Sequence, residues 1–375
     1  MMGNMENRDL IIVGSGILGL ATAFLAHQQG RTVCIIDRSD HPVGSSIQNF
    51  GHACFTGQAD IIQPVAEMAR EGWLQAAAAT GIWAAETGTY IPAVTEAELQ
   101  VLREFAEHRG GGQVQLLSGE EVGRALGNPG LPALGGAWLP RDMRVNPREA
   151  APKLAAWLEG RGVEFRWKTQ VTAVEDGVVV TNRGEFHAAE VVVCPGYELG
   201  GLFPELAEDR GVRVCTLAMS LIEKPARIPD GLAMLSGTSL TRYDGFTALP
   251  GAPALRAELA EREPELVGCV ANLMVTDIPE GLLIGDSHAY AHSPEPFIDE
   301  GVAQLLLDRA TSLLGIERPV VKQRWLGRYA DSVSTNLVLE RPDEKTTIAV
   351  VTSGIGMTLS FGIARLILDG ESVQF

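Results

Sequence analysis

The chain has 375 residues, 46% of them apolar and only 6% aromatic, with 42 glycines. That length suits two intimately joined domains rather than one ordinary core, and the composition describes a globular α/β protein with many tight turns, excluding disordered and fibrous classes. A net charge of −17 and a pI near 4.9 remove any long-range attraction to nucleic acid or to an acidic membrane surface, so an anionic substrate needs a locally placed Arg or Lys.

The five cysteines, Cys34, Cys54, Cys194, Cys215 and Cys269, are odd in number, scattered and never in a CxxC pair. This argues against a disulfide framework and a structural zinc site, and points to a cytoplasmic location with no metal. The stretch from Leu10 to Ala26 is largely apolar, but it contains Gly14, Gly16 and Gly19, follows a leader carrying Glu6, Arg8 and Asp9, and precedes no small-x-small cleavage site. It therefore reads neither as a signal peptide nor as a membrane span.

In chain order, DLIIVG, SGILG, LATAFLAHQQG and RTVCIIDR predict strand, glycine turn, helix and strand, with Gly30 past the helix end and the second strand an apolar run of the kind a doubly covered parallel sheet requires. Asn146-Pro147-Arg148-Glu149 predicts a helix start, with Asn146 as N-cap and Pro147 at the first position. EFRWKTQVTAVED, GVVVTN and EFHAAEVVVCPG then alternate like strands of a meander, separated by Asp176-Gly177 and Arg183-Gly184. Between about Val212 and Gly285 short β-like runs are split by Pro- and Gly-rich turns, which predicts a mostly antiparallel second sheet; SLTRYDGF within it reads as a hairpin, and EGVAQLLLDRATSLLG follows as an amphipathic helix. TTIAVVT, SGIG and MTLSFGIARLILDG close the chain as strand, glycine turn and helix.

Gly14-Ser15-Gly16-Ile17-Leu18-Gly19 fits G-x-G-x-x-G directly between strand and helix. Gly14 permits the tight turn, Gly16 lets backbone N–H groups approach a pyrophosphate, Gly19 allows close helix–sheet packing, and the helix N-terminus turns its free donors toward the anion. Asp37 closes the second strand, where a carboxylate accepts from ribose hydroxyls and repels a 2′-phosphate, so NADP is disfavoured. These glycines alone do not separate FAD from NAD.

After Asp37 and Arg38 comes GSSIQNFGHACFTGQ, with Ser45, Ser46, Asn49, Gly51 and His52; VVVCPG, with Cys194 and Gly196, lies in the middle, and TSGIGMTLSFGIARLIL near the end. Together, in order and across nearly the whole chain, these segments resemble the FAD-dependent family of D-amino-acid, glycine and sarcosine oxidases. The resemblance implies a Rossmann-like FAD-binding domain, discontinuous over residues 1–85, 140–211 and 322–375, and a substrate domain over 86–139 and 212–321. It implies that Ser45 and Ser46 contact the cofactor phosphates or flavin edge, that Val171 brackets the adenine, and that Gly354, Ile355, Gly356, Met357 and Thr358 present the helix start to the flavin pyrimidine ring. A helix N-terminus stabilises the negative charge that reduced flavin carries there. The chain departs from relatives that bind flavin covalently through a late cysteine, since none follows Cys269, so the FAD is expected to be dissociable. It also has ADSVSTNLVLERPDEKTT where relatives often carry Thr-Pro-Asp-Gly.

The chemistry so implied is hydride transfer from an amine α-carbon to flavin, leaving an imine that water hydrolyses. Arg328, in WLGRYA, is the expected clamp for the substrate's anionic end, because the family places a substrate-binding Arg near this position. Arg242 and Tyr243 are candidates for the same pocket, as are His288 and Tyr290 at the end of an apolar strand, while His292 is expected to be exposed. His52, inside the flavin-proximal segment, is a candidate for tuning amine or flavin protonation. There is no Ser-His-Asp order, HExxH or P-loop. NFGHACFTGQ and SLTRYDGF look most like a bacterial branch associated with phosphonate breakdown, which suggests 2-aminoethylphosphonate or its N-methyl form as substrate, with glycine, sarcosine or another small amino acid as competitor and oxygen or another acceptor taking the electrons. An NAD-dependent dehydrogenase and a non-catalytic nucleotide-binding protein remain alternatives of other classes.

Overall fold

The computed structural model describes residues 8–371; the leader before Arg8, with Glu6, and residues 372–375 lie outside the described residues. Five neighbouring parallel strands form the heart of the first sheet: Glu164–Arg166, Val33–Ile36, Arg8–Val13, Gly184–Val193 and Thr346–Val351. Their register sets Val13 beside both Ile36 and Val193, and Val193 beside Ile348, so the carboxyl ends of strands from the start, middle and end of the chain lie side by side. Such strands are covered on both faces, which is why they read as unbroken apolar runs. Leu10, Ile12 and Ile35 pack in one layer with the helices Ile17–Gln28, Gln63–Thr80, Pro147–Glu159 and Gly356–Asp369, whereas Ile11, Cys34, Val191 and Val193 face the other layer with Leu199 and Val212.

The antiparallel meander Val171–Glu175, Val178–Thr181 and Gly184–Val193 extends one side of this sheet, and its last strand runs on into the parallel part. The second sheet has nine strands and is antiparallel apart from one parallel contact between Ala233–Leu235 and Thr89–Ala93. At its centre Arg213–Ile222 is flanked by Val321–Asp331 on one side and by Gly281–Gly285 and Ala289–Ala291 on the other. The helix Glu300–Leu314, capped by Asp299 and ended by left-handed Gly315, covers one face through Leu306, Leu307 and Leu314. A small third sheet joins His52–Ala53 and Ala84–Ala85 to Met143–Val145.

Three local readings differ from the structure. EFRWKTQVTAVED is two strands, Glu164–Arg166 and Val171–Glu175, because the chain turns at Lys168 (φ 54) and leaves the parallel sheet for the meander. SLTRYDGF is no hairpin: Ser239–Thr241 is a single 3-10 turn and Asp244–Thr247 a short helix. The segment after it carries the helices Ala252–Arg262 and Pro264–Gly268 where only short strands were expected; Leu255 and Leu259 supply a narrow buried stripe on an otherwise charged helix, a weak periodic signal.

The helices Gln63–Thr80 and Gly356–Asp369 approach closely through glycines. A Cβ at Gly72 would collide with the Phe361 side chain, and one at Gly362 with the Val65 carbonyl. Backbone cannot yield there as a flexible side chain can, so Gly362→Ala is expected to destabilise the fold by about 1–3 kcal/mol. Chemical denaturation with an unchanged midpoint would contradict this packing.

Candidate active site

A cavity of about 920 Å³ opens at the carboxyl ends of the parallel strands and continues into the second sheet. In open α/β sheets this crevice is where ligands bind. Its nucleotide half is built by the first turn. Gly14 has φ 104, and a Cβ there would stand 2.5 Å from the Cys194 carbonyl; one at Gly19 would strike the Gly14 carbonyl. Ser15 donates to Asp37 Oδ2 through both its N–H and its hydroxyl, each at 2.7 Å, and the Ser39 N–H donates to Asp37 Oδ1 at 2.8 Å, so the carboxylate is fixed beside the turn. Ile17 and Leu18 open a helix without a side-chain cap of its own; the Ile17 N–H donates instead to Ser46 Oγ at 2.8 Å.

Ser46 belongs to the 3-10 turn Gly44–Ile47, where the Ser45 hydroxyl donates to the Arg328 carbonyl at 2.5 Å. Asn49 ties this turn together, its Nδ2 donating to the Ser45 and Ser46 carbonyls and its Oδ1 accepting from the Gly51 N–H. Gly51 (φ 64) must be a glycine, since a Cβ would meet the Val145 carbonyl and Pro147. Val171, Cys194 and Gly196 line the same half, and Arg38 pairs with Glu198 at its rim.

Gly354, Ile355, Gly356, Met357 and Thr358 line the cavity from the other chain end. Gly354 is left-handed, with the Tyr329 ring against it, and the helix Gly356–Asp369 begins with no side-chain cap, leaving its first N–H groups as donors. Trp73 Nε1 donates to the Met357 carbonyl at 2.9 Å and fixes that start. The cradle therefore fits a dinucleotide: glycine backbone where a phosphate must approach, a carboxylate where a ribose would lie, and helix starts from both chain ends turned toward one cavity.

His52 is 7% exposed. The Thr89 hydroxyl donates to Asp142 Oδ2 at 2.7 Å and accepts from Arg144 Nη2 at 2.7 Å, so His52 Nε2, 2.9 Å away, donates to Thr89 and Nδ1 is left as a buried acceptor without a partner. Burial, and then the Arg144 guanidinium, push the His52 pKa down to about 4. Burial is outweighed by the neighbouring His52 ring and by hydrogen bonds from the Thr56 N–H and the Thr89 hydroxyl, which hold Asp142 below its usual range. His52 is thus a fixed neutral imidazole, not a group that titrates near neutrality. Among the described residues His52, Cys54 and Asp142 are the one grouping with the spacing of metal ligands, but Asp142 is already engaged and the fully buried Arg144 charge opposes a cation.

The far half of the cavity brings together Arg242, Tyr243, His288 and Tyr290. Arg242 donates to the Tyr290 hydroxyl at 3.1 Å and is in no salt bridge among the described residues. The Tyr243 hydroxyl approaches Met274 Sδ at 3.4 Å. His288 Nδ1 donates to the Val270 carbonyl at 2.9 Å, and burial followed by the Arg242 charge lowers its pKa to about 3. His292 is exposed.

Arg328 also lines the cavity, and its backbone carbonyl accepts from the Ser45 hydroxyl. It pairs with Thr216, whereas Cys215, Tyr290 and Tyr329 share the next ladder position. Successive strand residues point to opposite faces. With the Tyr329 ring against Gly354, the Arg328 side chain is directed to the other side of the strand, the side on which Ala330 packs with Val338 and Val350. Arg242 is the cation bonded to Tyr290, and Arg328 lines the same cavity from the neighbouring ladder position.

Asp286, Asn272, Gln48 and Tyr329 also line the cavity and were not singled out in the sequence. Asp286 is 4% exposed, its Oδ1 has no hydrogen-bond partner, and burial, opposed by Arg242, raises its pKa to about 8. Its one legible signal was an acid closing the apolar strand Gly281–Gly285 two residues before His288.

The glycine turn, the carboxylate on the next strand and the deep cavity they share suit a dinucleotide-dependent enzyme. A family model described as DAO, FAD dependent oxidoreductase, matches residues 9–369, and the chain belongs to that family. Its cofactor is FAD, not NAD, and it is an oxidoreductase. Among solved structures the chain is similar to a glycine oxidase from Bacillus cereus ATCC 14579 (TM-score 0.78, 17% identity, 98% of this chain and 96% of that one). It is similar also to an L-proline dehydrogenase from P. horikoshii (TM-score 0.78, 17% identity, 98% and 95%). These likenesses establish the fold. An L-2-hydroxyglutarate dehydrogenase of Escherichia coli O17:K52:H18 is 23% identical over 223 residues, 55% of this chain and 52% of that protein, so the match spans about half of that relative's length. No helix among the described residues is long and apolar enough to cross a membrane.

Two outcomes follow from these groups. Asp37→Ala removes a charged acceptor, so FAD is expected to bind about tenfold or more weakly, read from the ratio of flavin to protein absorbance after gel filtration; full retention would contradict the assignment. Secondly, His52 and His288 titrate at about 4 and about 3 in the fold against 6.5 ordinarily, so the unfolded chain binds more protons and stability falls as pH drops below 6.5. Asp286 acts oppositely: held at about 8 against an ordinary 3.8, it contributes stability that is complete at low pH and lost as pH rises through 8. The melting temperature of Asp286→Asn is expected to change less between pH 6 and pH 9 than that of the wild type, and parallel profiles would contradict the burial argument.

Proposed function

We propose that this flavoenzyme oxidises the C–N bond of a small primary or secondary amine bearing an anionic end, giving an imine that hydrolyses to an aldehyde or keto product. The observation that carries this reading is Arg242: a part-buried guanidinium in the cavity wall, held by Tyr290 and in no salt bridge among the described residues, suits an anionic ligand group. Bound FAD, taken here as non-covalent because no cysteine follows Cys269, supplies the two-electron acceptor. The chain's own residues do the rest. Arg242 and Tyr290 hold the anion; His52 and His288, kept neutral by burial, add no positive charge to repel an amine; and Leu217, Met274 and Tyr243 exclude water around the reacting carbon. Ser45, Ser46 and the glycine turns at both chain ends hold the cofactor.

Within this reading the preferred substrate is an aminophosphonate, 2-aminoethylphosphonate or its N-methyl form, with oxygen as acceptor and hydrogen peroxide formed. The likeness of NFGHACFTGQ and SLTRYDGF to the phosphonate-associated branch supports it, and a guanidinium suits a phosphonate as well as a carboxylate. Glycine, sarcosine and D-amino acids are the alternative amines. The similarity to a 2-hydroxyglutarate dehydrogenase favours a second reading, a 2-hydroxy acid substrate.

Peroxide release, and anaerobic bleaching of the yellow protein, are to be measured with 2-aminoethylphosphonate, its N-methyl form, glycine, sarcosine and 2-hydroxyglutarate. Bleaching by an amine and not by the hydroxy acid is expected; bleaching by 2-hydroxyglutarate alone would overturn the proposal, and bleaching without peroxide would make the enzyme a dehydrogenase. Arg242→Met is expected to raise the KM of the responding substrate by about thirtyfold or more, as loss of a buried charged partner does. An unchanged KM would remove Arg242 from the anion site.

A further inference from the structure

Within the second-sheet half of the cavity a cluster of buried acceptor atoms stands without partners. Asp286 Oδ1 and Asn272 Oδ1 are buried in the wall with no hydrogen-bond partner. His288 Nδ1 gives its proton to the Val270 carbonyl, so Nε2 is an acceptor, and it lies 4.0 Å from Asp286 Oδ2. The Asn272 N–H donates to the Asp286 carbonyl at 2.9 Å and the Asp286 N–H to the Asn272 carbonyl at 3.2 Å, so the two side chains spring from one backbone-paired site. At 4.0 Å the carboxyl and the imidazole nitrogen make no hydrogen bond to each other, whether or not Asp286 carries a proton, and buried polar groups so placed need a partner. Arg242 does not supply one, since it donates to Tyr290 and makes no salt bridge with Asp286. The complement of such a cluster is a group with several N–H donors and positive charge.

We propose that Asp286 is the amine-binding residue of this enzyme, its carboxyl group forming with His288 Nε2 and Asn272 Oδ1 a socket for the substrate nitrogen, while Arg242 takes the anionic end. The inference rests on the amine reading above and deepens it: the site selects zwitterions, compounds with an ammonium and an anion a few bonds apart. It disfavours the deaminated anion and the hydroxy acid, which offer one donor or none to the carboxylate.

The charged and titratable groups facing Asp286 are Arg242, Cys215, Tyr243 and Tyr329 together with His288, and burial holds the thiol and both phenols in their neutral form. With His288 also neutral near pH 7, Asp286 and Arg242 are the only ones of these that decide the local charge. Burial raises the carboxyl to about 8, so near neutral pH the site without ligand carries a proton on Asp286. An incoming ammonium brings its own proton. The pair of carboxyl and nitrogen then shares a single labile proton and the other leaves to solvent, which is also the state in which the nitrogen's electron pair is freed when the carboxylate takes the shared proton. Above pH 8 the ionised carboxylate repels a ligand that is only an anion.

The test measures dissociation constants of the FAD-loaded enzyme from the flavin absorbance change on rapid anaerobic mixing. The probes are matched: 2-aminoethylphosphonate with ethylphosphonate, and glycine with acetate. Whichever amine the wild type binds is expected to bind at least about thirtyfold more weakly to Asp286→Asn, whereas its deaminated partner binds as well or better. In the wild type alone the deaminated anion is expected to weaken as pH rises through about 8, and in Asp286→Asn this dependence disappears. Equal losses for both members of a pair, or an amine whose binding survives the substitution, overturn the role of Asp286 and leave the amine reading standing. A wild-type enzyme that binds the deaminated anions but neither amine overturns the amine reading itself. Should Asp286→Asn not fold, a wild-type anion affinity that stays flat across pH 8 overturns the proposal without any variant.

Discussion

The site depends on one constraint of register: strands from the beginning, middle and end of the chain run parallel, with Val13, Val193 and Ile348 side by side. Because the three run in one direction, the turns that follow them, at Gly14, Cys194 and Ser353, open on one crevice, the last strand reaching three residues beyond Ile348 to Val351. The two turns before helices leave N–H donors free, and a dinucleotide can be held at its phosphates by one and near its ring by the other. Buried polar and glycine contacts keep them there. Trp73 ties the last helix to the helix Gln63–Thr80, and glycines allow those helices to touch.

The second sheet completes the chamber and decides its chemistry. Its central strand, Arg213–Ile222, carries Tyr329 and Tyr290 on either side of Cys215, so one face of three strands walls the cavity opposite the last glycine turn. Charge is sparse there. His52 and His288 are held neutral by burial, which leaves Arg242 and Asp286 as a cation and an acid of opposed preference in one lining. A pair so placed is a natural complement to a small zwitterion. The chain carries a net charge of −17, so a local cation rather than any long-range field would attract an anionic ligand group.

Much of the nucleotide half was legible because its signals are local. An apolar run, three glycines at fixed spacing and an acid at the next strand end describe a single βαβ unit, and the structure packs Gly19 against Gly14 and bonds Asp37 to Ser15 of the same turn. The far half was less legible because it is set by strand pairing. Which neighbours Arg328 and Tyr329 meet in the cavity wall depends on which residue pairs with Thr216, and no local pattern fixes a partner a hundred residues away. Asp286 reads locally as a solvated turn residue; only the packing of Asn272, His288 and Arg242 around it makes it buried. The helix Ala252–Arg262 escaped notice for a related reason, its buried stripe being two leucines and an alanine.

The central claim, that both chain ends hold one FAD, is tested most directly by the FAD-to-protein ratio and visible spectrum of Gly16→Val and Gly354→Val. Each substitution lies in a different terminal turn, and the second forces a side chain into left-handed backbone against the Tyr329 ring. The account expects each alone to release the flavin or shift its spectrum while the protein stays folded. A Gly354→Val protein with a full complement of flavin and an unaltered spectrum would contradict it.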